Sequence, residues 1–169
     1  MTVLEPPHAG DERDTLLGFL QRQRDLVAWK LAGLDDADAR AVATPSGVTL
    51  PGVVRHLEDV ERGWLREVFA GEQDVPSYST EQDPDGDWRV PDEVSMAALL
   101  ASYAAESRRC DAVVAAAPLD QLAVTRPFSL RWILHHLVEE TGRHLGHLDL
   151  LRELADGRTG EEPPGLASS

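Results

Sequence analysis

Leu130-Arg131-Trp132-Ile133-Leu134-His135-His136-Leu137-Val138-Glu139-Glu140-Thr141-Gly142-Arg143-His144-Leu145-Gly146-His147-Leu148-Asp149-Leu150-Leu151 is the stretch whose reading decides the fold. It contains no proline, and Ser129 precedes it with a hydroxyl suited to capping the first free amides of a helix. Ile133, Leu137, Glu140, His144, Leu148 and Leu151 recur every three or four positions, so they share one helical stripe. That stripe is apolar at both ends and polar in the middle. An ionised carboxylate is expensive to bury alone, so Glu140 needs a compensating partner. Residues four apart stack about 6 Å from each other on a helix face. Glu140 and His144 can therefore aim an oxygen and a nitrogen at one point, as ligands of a metal ion do.

Working outward, three further stretches carry the same period and predict helices. The first covers residues 12–34, with Asp11 as N-cap and Leu16, Phe19, Leu20, Gln23, Leu26, Val27, Lys30, Leu31 and Leu34 on its inner side. The second starts after Thr49, with Pro51 in its first turn where a missing N–H costs nothing, and ends near Ala70-Gly71. Val53, Leu57, Val60, Trp64 and Val68 form its buried stripe. The third covers residues 95–117 and stops at Pro118, and the fourth, already described, runs from Ser129 to about Leu154. With no convincing strand, the economical architecture is an all-α four-helix bundle in a single domain. Its ordered core is expected over residues 11–156, with flexible tails at 1–10 and 157–169. Residues 71–94 are acidic and punctuated by Pro76, Pro84, Gly86 and Pro91 but include Tyr78 and Trp88, which predicts a loop lying across the bundle.

Composition narrows the function classes. Thirty acidic against sixteen basic residues give a net charge of −14, which repels phosphate backbones and anionic lipid, so neither nucleic acid nor membrane is an expected partner. No apolar run approaches the roughly 20 residues of a bilayer span. The first ten residues lack a basic and an apolar signal region, so a cytoplasmic location is expected. Cys110 is the single cysteine, which excludes an internal disulfide and a thiolate cluster; on an apolar helix it reads as a small core residue. There is no Gly-rich phosphate loop, no Gly-x-Ser-x-Gly elbow and no His-Glu-x-x-His, so a nucleotide cofactor is not expected.

A third candidate ligand lies on the second helix. His56 has Val53 and Val60 as its i−3 and i+4 neighbours and so projects from the apolar side, away from Glu58, Asp59 and Glu61. His56, Glu140 and His144 together would leave coordination positions open for water or substrate, the arrangement of a reactive metal rather than a sealed structural one. Two imidazoles and a carboxylate suit zinc, nickel or ferrous iron. His136 and His147 compete for a ligand role or a place beside the ligands, though His136 and His144, about 12 Å apart along the axis, cannot share one ion. His135 reads as a surface residue, His147 as a hydrogen-bonding neighbour, and Trp64 and Trp132 as core. On spacing alone, Glu-x-x-x-His is equally a common ion pair, and that reading stays open.

Thr44-Pro45-Ser46-Gly47 leading into Val54-Arg55-His56-Leu57-Glu58-Asp59-Val60-Glu61, followed by Leu130-Arg131-Trp132 and Glu139-Glu140-Thr141-Gly142-Arg143-His144-Leu145-Gly146-His147, resembles the DinB-like (YfiT/DinB) metalloprotein superfamily. The resemblance spans residues 12–154. It implies an up-down-down-up four-helix bundle with pseudo-twofold pairing of helices and a zinc or nickel ion at one side of the core. Many members carry a His-x-x-x-His pair on the last helix, and here Glu140 takes the earlier position. In this the chain is similar to the metal-binding domain of mycothiol-dependent maleylpyruvate isomerase, which implies zinc on His56, Glu140 and His144. The implied activity is a thiol S-transferase: the metal activates a low-molecular-weight thiol, mycothiol, bacillithiol or similar, as co-substrate toward a small electrophile. A hydrolase activating water, and a non-catalytic metal-binding or structural bundle, are the alternatives. A homodimer through exposed helix faces also stays open.

Overall fold

The computed structural model describes residues 2–160 and residue 163. The four expected helices are present. Helix α1 spans Glu12–Leu31, α2 is a short added piece, Asp36–Ala41, α3 spans Leu50–Arg62, α4 spans Met96–Val114 and α5 spans Leu130–Asp156. Their starts are fixed by side-chain caps: Asp11 accepts from the Asp14 N–H, Thr49 from Gly52, Ser95 from Ala98 and Ser129 from Trp132. Among the described residues there is no strand, only isolated bridges between Ala43 and Thr49 and between Leu122 and Ser129. The result is an all-α bundle in which α1 packs mainly on α5, α3 mainly on α4, and α3 meets α5 across the middle.

Three expectations are corrected in detail. The second predicted helix does not continue as an α-helix to residue 70. From Gly63 to Phe69 it widens into a π-helical segment in which the Ala70 N–H reaches back to the Leu65 carbonyl at 3.1 Å. An apolar repeat every three or four residues is the same for both helix types over two turns, so the sequence could not separate them. Helix α1 ends at Leu31 because Gly33 turns the chain with φ +73°, and Leu34 reaches the core from the connection instead. Phe19 and Trp132, expected inside, are 46% and 45% exposed. Of the expected tails, residues 2–10 include a buried Val3, and the Leu4 N–H donates to Asp25 Oδ2 at 3.1 Å. Most of the C-terminal tail lies outside the described residues.

The core is split in two. One apolar cluster gathers Val27, Leu31, Val53, Leu57, Leu99 and Leu148; the other gathers Leu20, Leu65, Phe69, Ile133, Leu134 and Leu137. Between them runs a polar layer. On one side Glu61, 1% exposed, accepts from Arg24 Nε at 3.0 Å, Arg24 Nη2 at 2.8 Å and the Tyr103 hydroxyl at 2.9 Å. Burying such a charge is tolerable because both of its oxygens have donors, one of them a paired guanidinium. On the α3–α5 side the same layer holds Glu140 and His144.

Two glycines bring the 71–94 connection onto this layer. A Cβ on Gly52 would lie 2.6 Å from the Trp88 carbonyl, so its absence lets the loop dock against α3. A Cβ on Gly86 would lie 2.2 Å from the Tyr78 carbonyl, so Gly86 lets the loop fold on itself before the short 3-10 turn Gly86–Trp88. Tyr78 anchors the loop further: its ring lies under the Arg55 guanidinium, 3.8 Å away, and its hydroxyl donates to Glu58 Oε1.

Candidate metal centre

His56 projects from α3, and Glu140 and His144 from adjacent turns of α5, with one ligand atom of each within 4.8 Å of the others. Glu140 Oε1 is 3.2 Å from His56 Nε2 and 3.1 Å from His144 Nε2. The two imidazoles meet edge to face, with ring centroids 4.7 Å apart. The His144 side chain is 7% exposed and that of Glu140 21%, so the cluster is sheltered by the bundle yet open to solvent beside the carboxylate.

One residue of this site escaped the sequence reading. Asp87, in the 3-10 turn of the long loop, places Oδ2 2.6 Å from His56 Nδ1. The carboxylate accepts the Nδ1 proton, and Nε2 points at Glu140. Trp88, the next residue, stacks on the His56 ring at 4.1 Å and lies 5.4 Å from the His144 ring. No spacing rule could have found Asp87, since it sits 31 positions from His56 in a segment without period. The acidic loop carrying Tyr78 and Trp88 was the available signal.

Electrostatics prepare the donors. Burial first, and the neighbouring His56 charge second, push the His144 ring toward its neutral form against the pull of Glu140. Burial alone would raise the Glu140 pKa; the hydrogen bond from His56 and the charge of His144 outweigh it and hold the carboxyl below the usual range. Glu140 Oε1 faces Nε2 of both rings, 3.2 Å from His56 and 3.1 Å from His144. Either a proton or a cation has to sit between them. Two imidazole nitrogens and a carboxylate oxygen at such separations fit a divalent ion, with an orienting carboxylate behind one imidazole.

The remaining histidines are placed apart from this point. His147 Nδ1 lies 3.1 Å from His144 Nδ1, so it is a hydrogen-bonding neighbour of a candidate ligand. His136 stacks on Trp132 and meets Trp64 edge-on, in an aromatic ladder that Phe128 completes. His135 is exposed and bonded to the Arg131 carbonyl. Cys110 is buried and its Sγ lies 3.6 Å from the Glu61 carbonyl, remote from the cluster in kind and in role.

A helical bundle of this architecture with such a cluster between two of its helices is DinB-like. The chain belongs to the mycothiol S-transferase family: the family model described as mycothiol-S-transferase matches residues 15–157. No curated protein matches the chain. No described helix is long and apolar enough to cross a membrane.

Proposed function

We propose that this protein is a metal-dependent thiol S-transferase that joins a low-molecular-weight thiol, mycothiol foremost, to a small electrophile. The observation that carries the reading is the convergence of His56, Glu140 and His144 with Asp87 behind His56, in a chain of the mycothiol S-transferase family. A divalent ion held there, zinc foremost with nickel or iron as alternatives, would supply the lowered thiol pKa that makes a thiolate abundant near neutral pH.

The chain's own side chains set the stage for that chemistry. Asp87 fixes the His56 tautomer, so Nε2 is always the free donor. Trp88 covers the His56 ring and limits water on that side. The accessible edge of the cluster, beside Glu140, is where thiol and electrophile meet. In the transfer a sulfur–carbon bond forms, the bond from carbon to the leaving group breaks, the leaving group departs with its electron pair, and the thiol proton passes to solvent. No protein nucleophile is needed.

The test is to incubate metal-loaded protein with mycothiol and 1-chloro-2,4-dinitrobenzene. Conjugation that requires the thiol, and that falls to background with chelator or in Glu140→Gln, supports the proposal. Turnover of an ester or amide without thiol would replace it with the hydrolase reading. Purified protein without stoichiometric metal, and with no thiol-dependent activity after metal addition, would leave the non-catalytic bundle.

A further inference from the structure

Because α1 packs mainly on α5 and α4 mainly on α3, the α1–α4 seam is bridged by side chains rather than closed by packed helix faces. Arg13 closes one end, donating to the carbonyls of Val114 and Ala117 where α4 finishes. Further along, Arg24 Nη1 donates to Asp111 Oδ1 at 2.9 Å. From that pair to Ala28 and Leu100 runs a cleft of about 380 Å³, within the range of about 300–1,000 Å³ typical of small-molecule sites. It lies across the bundle from the α3–α5 seam, and none of His56, Glu140 and His144 lines it.

Most polar groups of the lining are already paired. Arg24 spends its guanidinium on Glu61, Asp111 and Gln21. The Gln21 amide donates to Asp25 Oδ1 at 2.8 Å, the Leu4 N–H donates to Asp25 Oδ2, and the Tyr103 hydroxyl donates to Glu61. Two groups able to donate, both on α4, stay unspent. Ser107 is 6% exposed, yet its hydroxyl has no partner among the described residues. Thr141 on α5 shows the usual outcome, giving its hydroxyl to the Leu137 carbonyl one turn back at 2.8 Å. A buried hydroxyl left unpaired is costly and calls for a partner. Arg108 stands at the exposed rim with no ion pair or hydrogen bond among the described residues.

The lining selects the ligand class. Ala28, Leu100 and Ala104 offer apolar surface. The two arginines and two aspartates of the lining sum to zero, and Glu61 behind Arg24 weighs further against an anion. A cation cannot use the unspent groups, which are donors, and would meet the unpaired charge of Arg108. We infer that this cleft is a second binding site, for an uncharged, largely apolar molecule carrying one carbonyl group whose oxygen accepts from the Ser107 hydroxyl. The site is separate from the candidate metal centre and stands whether or not the transferase reading does.

The test uses the full chain, zinc-loaded and isotope-labelled, titrated with octan-2-one in an NMR experiment. Backbone amide shifts are expected to saturate and to centre on residues 21–28 and 100–111. Octanoate and octylamine, of the same length but charged, are expected to bind about tenfold more weakly or worse. Ser107→Ala removes an unpaired buried hydroxyl, so the ligand-free variant should melt at or above the wild type while octan-2-one binds about tenfold more weakly. Ala104→Trp, at an exposed position on the rim, fills the cleft and should abolish binding with zinc affinity unchanged. Shifts that never saturate, shifts centred on His56, Glu140 and His144, or equal binding of octanoate or octylamine would overturn the site. Wild-type affinity for octan-2-one in Ser107→Ala or in Ala104→Trp would do the same.

Discussion

Asp87 Oδ2 lies 2.6 Å from His56 Nδ1, so a carboxylate from the long connection holds the ring of a helix residue from behind. The pairing fixes which imidazole nitrogen is available and joins the loop to the candidate metal centre as one unit. Because Trp88 follows Asp87 in the same 3-10 turn, the contact that orients His56 also positions the ring that covers it. The loop is thus part of the site rather than a lid beside it.

Asp87→Asn keeps the shape but weakens acceptance of the Nδ1 proton and permits the other His56 tautomer. Loss of such an orienting carboxylate is expected to lower metal affinity roughly 10- to 100-fold. Competition with a chromophoric chelator measures it. An unchanged affinity would mean that Asp87 serves only to anchor the loop.

The periodic part of this molecule was legible in the sequence. Ile133, Leu137, Leu148 and Leu151 are buried at 1% exposure or less, with Glu140 and His144 between them on α5, because a 3.6-residue repeat leaves its mark on residue choice. The caps at Thr49 and Ser129 were legible for the same local reason. What depended on distant chain was not. Arg24 was not among the residues expected on the inner side of α1, yet it is 7% exposed and paired with Glu61 on α3. Trp132 looked like core from its size, but stacking against Phe128 and His136 leaves it at the surface. Asp87 belongs to the same group, since its partner is chosen by tertiary docking alone.

Glu140→Gln separates metal binding from folding. Without metal, the wild-type Glu140 carboxylate accepts from the His56 and His144 rings, and an amide oxygen is the weaker acceptor. The metal-free variant should therefore melt at or somewhat below the metal-free wild type. Added zinc at 100 times its Kd should stabilise the wild type by about 2.7 kcal/mol and the variant by far less. Differential scanning calorimetry with and without metal reads both outcomes, and an equal shift in the two proteins would remove Glu140 from the ligand set.

Acid should destabilise the bundle through Glu106 on α4. This carboxylate is 2% exposed, accepts from Arg66 Nη1 at 2.7 Å and Arg109 Nη1 at 2.9 Å, and lies 3.5 Å from Arg62 Nε. Burial alone would raise its pKa, but the hydrogen bonds from Arg66 and Arg109 and the charge of Arg62 hold it below the ordinary value of 4.5. The unfolded chain then binds the proton more readily, so the contribution of Glu106 is complete above pH 4.5 and lost as pH falls through the lower folded value. Glu106→Gln takes one acceptor from each of three arginines, of which Arg62 keeps Glu58 and Asp59 and Arg66 keeps Glu72, and is expected to cost about 2 kcal/mol at neutral pH. Urea titrations at neutral and acidic pH check this; the gap between wild type and variant should narrow in acid.

Cys110 should be inert, which matters in a protein proposed to handle thiols. It is fully buried on α4, and burial first, with the Glu61 and Glu106 carboxylates second, pushes its pKa far up, so almost no thiolate exists at neutral pH. Ellman's reagent is expected to find no reactive thiol in the native protein and one after denaturation. Cys110→Ala removes one sulfur from a packed core and should cost about 1 kcal/mol or somewhat more in stability. Conjugation of mycothiol should stay within twofold of wild type, because the transferred sulfur comes from the co-substrate. A variant that folds normally but loses transfer would place a protein thiol in the reaction path and overturn that assignment.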